Sequence, residues 1–256
     1  MRPNKMKAKL AAGEPALGLS VMIPSAQVVE MAGGLGFDWV LIDCEHGTIT
    51  RESAELMIMA AEASGLTPIV RPRSNSGQDI VELMDLGAAG VQVPHVINAA
   101  TAHAAVAAVR FHPLGRRGLA AGTRASGYGY RGSAADFVTA ANRETLVCVQ
   151  IEDEEAVVNI DKILQVDGVD VFFIGPSDLS QSMGHPGNPK AEPVAAAIDR
   201  TLNTIVAAGK TPGMPATTEN LADVLKKGVR YTYTHLPTLL GAAANQYVKT
   251  ARANAG

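Results

Sequence analysis

The chain has 256 residues, with 22 Lys and Arg against 25 Asp and Glu, a formal net charge of -3, and 47% hydrophobic but only 4% aromatic residues. The near-balanced charge lacks the basic surplus typical of nucleic-acid binding, so no nucleic-acid partner is expected. A core of Ala, Val, Leu, Ile and Met is typical of helices packed around a buried parallel sheet, and this length suits one α/β barrel.

The sequence gives three indications of location. Cys44 and Cys148 are too few and too distant for a disulfide framework or a thiolate metal site, which predicts a reducing, cytoplasmic compartment. Glu14 and Pro15 interrupt the N-terminal segment before any apolar core forms, so no secretory signal is expected. Residues 86–109 carry no charge, but their polar residues argue against a membrane span and predict a strand, a turn and a helix.

Short apolar strand patterns alternate with longer helical patterns along the chain. Eight strands are predicted, at residues 16–22, 37–42, 67–71, 90–94, 146–151, 169–174, 211–216 and 229–234. Helices are predicted between and after them, at residues 25–35, 51–64, 78–86, 99–110, 153–164, 194–208, 220–227 and 237–253. Several of these helices run into a glycine, the residue most typical of a helix C-terminus.

This order predicts a (β/α)8 TIM barrel forming a single domain over residues 1–256. Parallel strands need helical crossovers, and closure of the barrel removes both sheet edges. A doubly wound open sheet is the rival, and the two least regular strands, 211–216 with two prolines and 229–234 with two tyrosines, leave it open. The irregular segment 113–132, rich in Gly, Arg and Ser, is predicted to be a lid or a subunit contact.

Polar residues collect at the predicted carboxyl ends of strands two to six, where barrels of this type place their chemistry. They are Asp43, Glu45, His46, Arg71, His95, Gln150, Glu152, Ser177 and Asp178. Singly, each has a structural alternative: a turn cap, a hydrogen bond to a loop carbonyl, or a favourable place at a helix start. Their convergence from five strands predicts one functional site.

Arg71 ends a buried strand, where an unpaired guanidinium would be costly, so it needs an anionic partner from the protein or from a substrate. Glu152 and Asp178 follow adjacent strands, and paired carboxylates suit a hard divalent cation such as Mg²⁺ or Mn²⁺. Two ligands leave positions for a chelating 2-oxo acid. The alternative interpretation is a pair of solvated acids.

Two other patterns are given structural interpretations. The G-x-G-x-x-G match at residues 127–132 follows no predicted strand and lacks an acidic ribose partner, so it is interpreted as a loop. Cys44 is interpreted as a packing residue rather than a nucleophile. No predicted strand ends in lysine, which argues against a Schiff-base mechanism.

Six motifs occur in the order expected of one known family. They are Asp43-x-Glu45-His46-Gly47, PIVRP at 68–72, VQVPHV at 91–96, RRG at 116–118, VQIED at 149–153 and FIGPSDLSQSMGHPGN at 173–188. From about residue 18 to residue 244 the chain resembles the HpcH/HpaI family of class II pyruvate aldolases. The resemblance implies a phosphoenolpyruvate/pyruvate-binding type of (β/α)8 barrel, a last helix exchanged between neighbours, and a homohexamer of dimer-like pairs.

The resemblance also implies reversible cleavage of 4-hydroxy-2-oxo acids to pyruvate and an aldehyde through a metal-stabilised pyruvate enolate. Glu152 and Asp178 would ligate the metal, Mg²⁺ or Mn²⁺ with Co²⁺ as an alternative. Arg71 would stabilise the enolate oxygen. His46, paired with Asp43, would handle the proton of the C4 hydroxyl.

Three further residues are assigned to substrate binding. Gln150 and Ser177 are expected to bind the 2-oxo acid, and Arg124 resembles the family's arginine that reaches a neighbour's site to bind an acidic aldehyde. The chain departs from many relatives at residues 231–237, where it carries an extra imidazole and two aromatic residues at the predicted barrel mouth. This departure leaves the aldehyde open.

Two other functions remain open from the sequence. A related carbon–carbon lyase or oxaloacetate decarboxylase could use the same enolate, and product analysis distinguishes it. A non-catalytic barrel that binds a small acid is also compatible with the fold. Such a barrel has no evident use for the base His46 beside Asp43, which favours the enzyme.

Overall fold

The computed structural model describes residues 2–254. Its eight parallel strands close into a barrel in chain order, with the last strand pairing with the first. The strands are β1 Ala16–Val21, β2 Trp39–Asp43, β3 Thr67–Arg71, β4 Gly90–Val93, β5 Leu146–Ile151, β6 Val171–Ile174, β7 Pro212–Gly213 and β8 Tyr231–His235. The predicted (β/α)8 barrel is confirmed, and the open doubly wound sheet is excluded.

The described residues form twelve α-helices around this barrel. They are α1 Lys5–Ala11, α2 Ala26–Gly34, α3 Arg51–Ala63, α4 Gly77–Asp85, α5 Ala99–Val109, α6 Ala134–Glu144, α7 Glu154–Val158, α8 Ile160–Ile163, α9 Pro176–Ser182, α10 Glu192–Ala207, α11 Leu221–Lys226 and α12 Leu236–Ala253. Helices α1, α6 and α9 were not predicted. The single helix predicted at 153–164 is wrong, because the chain forms α7 and α8 with Asn159 between them.

Aromatic side chains fill the interior of the barrel at the amino ends of the strands. The Trp39 ring lies 4.1 Å from the Tyr231 ring, centroid to centroid, and its indole N–H donates to the Ala16 carbonyl at 3.3 Å. A Cβ at Gly18 would lie only 2.3 Å from the Trp39 ring, so this position must be glycine. The packed aromatic layer closes one end of the barrel and leaves the other end for polar groups.

Strand register brings the polar residues together at the carboxyl ends. Asp43 at the end of β2 pairs in register with Arg71 at the end of β3. Gln150 of β5 pairs with Phe173 of β6, which places Glu152 level with Gly175 just beyond the two strands. Side chains alternate between the inside and the outside of a barrel. Asp43, Arg71, Gln150 and Glu152 lie at or near the carboxyl ends of their strands, so they collect at the same mouth.

Two further features follow from the described residues. The segment 86–109 divides into β4 and α5 as predicted, and between residues 2 and 254 no helix is both long and apolar enough to cross a bilayer. Strand β7 is shorter than predicted because Pro212 and Pro215 lack the N–H groups that extend a ladder.

Candidate active site

Arg71 and Asp43 form a buried, two-pronged ion pair at the mouth. The Arg71 Nε and Nη2 atoms donate to the two Asp43 carboxylate oxygens at 2.9 and 2.5 Å. Burial opposes ionisation of Asp43, but Arg71 outweighs it and holds the pKa of this carboxyl below its ordinary value. Asp43 is thus the main anionic partner of Arg71, with Glu45 Oε2 at 3.2 Å from Arg71 Nε as a second. The Arg71 Nη1 edge remains turned towards Gln150 at 3.4 Å.

Glu152 lies beside Asp178 at the ends of β5 and β6. Its carboxylate is 1% exposed and accepts the backbone N–H of His95 at 2.9 Å. Burial raises the pKa of Glu152 to about 7, and the negative charge of Asp178 adds to this shift. A Cβ at position 175 would lie 2.7 Å from Glu152 Oε2, so Gly175 makes the space that this carboxylate occupies.

These two carboxylates fit a hard divalent cation. Asp178 is half-buried in the first turn of α9, and no side chain caps that helix, so the predicted alternative of a capping role does not apply to it. Within residues 2–254 no cluster of three or more His, Cys, Asp or Glu side chains is arranged to hold a metal. The pair therefore offers two oxygen donors and leaves the other coordination positions to water and substrate.

His46 stands half-exposed on the loop after β2. Its ring Nε2 lies 3.6 Å from Glu45 Oε2. The structure corrects the predicted pairing with Asp43: the Asp43 carboxylate accepts the backbone N–H of His46 at 3.3 Å, while its strong partner is Arg71. The carboxylate that faces the His46 imidazole is Glu45, and burial raises the pKa of Glu45 despite the nearby Arg71.

His95 is a second imidazole at this mouth; it was among the polar residues predicted to converge here, but no catalytic or binding role was assigned to it. Its Nδ1 lies 3.1 Å from Asp153 Oδ2 and its Nε2 lies 3.6 Å from Glu45 Oε1. Burial opposes protonation, but these carboxylates and Glu152 outweigh it and raise the pKa of His95. Its place at a strand end was the available sequence signal.

Gln150 and Ser177, the two residues predicted to bind the 2-oxo acid, both lie at the mouth. The Gln150 side chain is 1% exposed and donates to Glu152 Oε2, while its own oxygen accepts from Gln92 at 2.6 Å. Ser177 is exposed in the first turn of α9, next to Asp178. Gln92, buried inside the barrel, is a further polar residue that sequence reasoning did not select.

Arg124 lies at the other end of its own barrel. Its Nη1 donates to the Leu86 carbonyl at 2.9 Å, and its Nη2 pairs with Glu62 at 2.5 Å. It lines a cavity of about 720 Å³ together with Thr67 and Ala89, at the amino ends of β3 and β4. One chain alone therefore does not bring Arg124 to the mouth, and its role in a neighbour's site stays a prediction.

The structure agrees with the structural interpretations of Cys44 and of the G-x-G-x-x-G match at residues 127–132. Cys44 is buried, and burial raises the pKa of its thiol to about 12, so the side chain is protonated and packs in the core. The stretch 127–132 follows a short 3₁₀ turn, Arg124–Ser126, rather than a strand. It therefore lacks the strand-to-helix setting of a dinucleotide site.

The closed barrel and the charged mouth define an enzyme of the (β/α)8-barrel class. Residues 17–232 match the family described as HpcH/HpaI aldolase/citrate lyase. The 4-hydroxy-2-oxo-heptane-1,7-dioate aldolases of Klebsiella pneumoniae subsp. pneumoniae and Shigella sonnei are 42% and 40% identical to this chain. The first alignment covers 86% of this chain and 82% of the relative, the second 94% and 92%.

A crystal structure of an HpcH/HpaI aldolase/citrate lyase family protein from Burkholderia cenocepacia J2315 superposes with a TM-score of 0.92 at 30% identity, covering 97% of this chain and 99% of that one. The chain belongs to the HpcH/HpaI aldolase/citrate lyase family. It is accordingly a carbon–carbon lyase of the aldolase type.

Proposed function

We propose that this protein is a divalent-cation-dependent aldolase that reversibly cleaves a 4-hydroxy-2-oxo acid to pyruvate and an aldehyde. The observation that carries the proposal is the meeting of Glu152, Asp178 and Arg71 at one barrel mouth. The names of the relatives favour 4-hydroxy-2-oxoheptane-1,7-dioate as the substrate. Cleavage of its C3–C4 bond yields pyruvate and succinic semialdehyde.

Cleavage requires a base at the C4 hydroxyl. The base takes the hydroxyl proton, the C3–C4 bond breaks, and its electron pair remains on the three-carbon fragment as an enolate. A proton delivered to C3 then gives pyruvate. We assign the base to His46, because its half-exposed imidazole can reach a substrate while Glu45, 3.6 Å away, orients the ring.

The second requirement is a place for the negative charge. Glu152 and Asp178 would hold a divalent cation, Mg²⁺ or Mn²⁺ with Co²⁺ as an alternative, which when bound supplies a Lewis acid for the oxygens of a 2-oxo acid. Arg71 presents its Nη1 edge to the same region, and Asp43 fixes the guanidinium from behind. A donor held in advance at a developing oxyanion is typically worth about 3 kcal/mol.

The direct test offers 4-hydroxy-2-oxoheptane-1,7-dioate to the purified protein with Mg²⁺ or Mn²⁺. We expect equimolar pyruvate, measured by reduction with lactate dehydrogenase, and succinic semialdehyde, measured as its hydrazone. Excess chelator should stop the reaction and added cation should restore it. Failure to release pyruvate from this substrate and from shorter and aromatic 4-hydroxy-2-oxo acids would contradict the aldolase. If oxaloacetate is the only one of these acids to react, and it releases carbon dioxide, the protein is a decarboxylase instead.

A further inference from the structure

A file of buried polar side chains crosses the barrel interior beneath the proposed site. The Tyr231 hydroxyl donates to Gln92 Oε1 at 3.1 Å, and Gln92 Nε2 donates to Gln150 Oε1 at 2.6 Å. Gln150 Nε2 then donates to Glu152 Oε2. Each of the four side chains is at most 1% exposed. The file runs from β8 through β4 to β5 and ends on a proposed cation ligand.

The polar group of Gln92 lies among apolar neighbours. The interior cluster around it consists of residues such as Leu41, Ile69 and Cys148. An amide in such surroundings is costly unless its polar atoms are hydrogen-bonded, and here both ends of the Gln92 amide have a partner within the file. An aliphatic side chain would fill the same space at lower cost, so packing alone does not account for this residue.

The hydrogen bonds in the file have a defined direction. Burial raises the pKa of Tyr231 well above its ordinary value. Its hydroxyl therefore stays protonated and can donate a hydrogen bond to Gln92 Oε1. Gln150 Oε1 receives N–H groups from Gln92 and, at 3.4 Å, from Arg71. Two donors on this oxygen leave the Gln150 NH₂ group turned to Glu152.

We propose that Gln92 is a positioning residue that acts through Gln150 to hold the Glu152 carboxylate in the orientation needed to bind a cation and a 2-oxo acid. Gln92 touches no reacting atom. Tyr231 fixes the orientation of the Gln92 amide in turn. The inference rests on the proposed function of Glu152 and Gln150.

The test measures binding of oxalate, a planar dianion that mimics the pyruvate enolate, by calorimetry in the presence of Mg²⁺. Gln92→Met keeps the length of the side chain and removes its polar atoms, while Tyr231→Phe removes only the hydroxyl. We expect Tyr231→Phe, which removes one buried hydrogen bond, to weaken oxalate binding about fivefold, and Gln92→Met, which removes two, to weaken it at least as much. Gln78→Met, an exposed change on α4, is the matched control and should bind as the wild type does.

A double-mutant cycle shows whether Gln92 acts through Gln150. We expect Gln92→Met to cause no further loss of oxalate affinity once Gln150→Met is present. Thermal melts without Mg²⁺ report the folding of each variant, and Tyr231→Phe carries the test if Gln92→Met does not fold.

Losses that add fully in the double variant, or wild-type affinity in both folded single variants, would overturn the role of Gln92. If the wild-type protein itself binds no oxalate with Mg²⁺, the proposed function fails, and the role of Gln92 falls with it.

Discussion

The proposed role of Arg71 depends on the planar shape of its guanidinium as well as on its charge. Two of its nitrogens bind Asp43 and a third faces Gln150, a pattern that a lysine ammonium cannot reproduce. We expect Arg71→Lys to lower kcat for pyruvate release by about 100-fold or more. Arg73→Lys, two positions on and exposed, is the control and should keep wild-type kcat. An Arg71→Lys enzyme with half the wild-type kcat would refute this role.

Asp43 should make a pH-dependent contribution to stability. Its pKa in the folded protein lies below the ordinary 3.8, so its ionised form stabilises the fold above that pH and the benefit is lost as the pH falls through the folded pKa. We expect Asp43→Asn to cost about 3 kcal/mol of unfolding free energy at pH 7, as breaking a buried ion pair does. Urea titrations from pH 7 to pH 3 should show this difference shrink only in the acidic part of the range. A difference that is constant across the range would contradict the ion pair.

At the scale of single residues, burial was the useful guide to the site. The need of Arg71 for an anion followed from its place at the end of a buried strand. The choice of Asp43 as that anion did not follow, because Asp43, Glu45 and His46 lie within four positions at the end of β2 and the loop after it, and the neighbouring strand decides how their side chains orient. Gln92 was missed for a related reason, since a single glutamine in an apolar strand does not reveal its partners on other strands.

The connection between β6 and α9 makes room for the Glu152 carboxylate. A methyl group at Gly175 would lie 2.7 Å from Glu152 Oε2, so Gly175→Ala must displace one of the two. We expect Gly175→Ala to weaken Mg²⁺ binding about tenfold or more, a loss of about 1.4 kcal/mol, measured by calorimetry. Gly34→Ala, at the end of α2 with open space around it, should bind Mg²⁺ as the wild type does. Unchanged affinity in Gly175→Ala would argue against Glu152 as a ligand.

The long helices α3 and α10 were predictable from the sequence, whereas the short helices α1 and α9 were not. The predicted positions of α3 and α10 agree with the structure to within two residues at each end, because their apolar residues recur with helical spacing over three turns or more. The seven-residue helices α1 and α9 give too little periodicity to detect, and short helices depend on their caps and tertiary packing. The first turn of α9, which carries Asp178, was recognised by its sequence motif rather than by a helical pattern.

Helix α12 packs against the barrel only near its start, where the partly buried Leu236 and Leu239 contact the core. None of the residues of α12 is buried, and Leu240 and Tyr247 on it are 64% and 77% exposed. We therefore expect α12 to pack against another copy of the chain, in line with the predicted homohexamer with exchanged last helices. Light scattering after size exclusion should give a mass several times 26.6 kDa. A monomer at micromolar concentration would contradict this assembly, and with it the reach of Arg124 into a neighbour's site.

The most direct test of the central claim is hydrogen exchange at the methyl group of pyruvate in deuterated water, followed by proton NMR. If Glu152, Asp178 and Arg71 together stabilise a pyruvate enolate, the methyl signal should decay with Mg²⁺ or Mn²⁺ present, persist with excess chelator, and persist in Glu152→Gln. This result requires no knowledge of the aldehyde. A methyl signal that is stable with the wild-type protein and either cation would contradict the account.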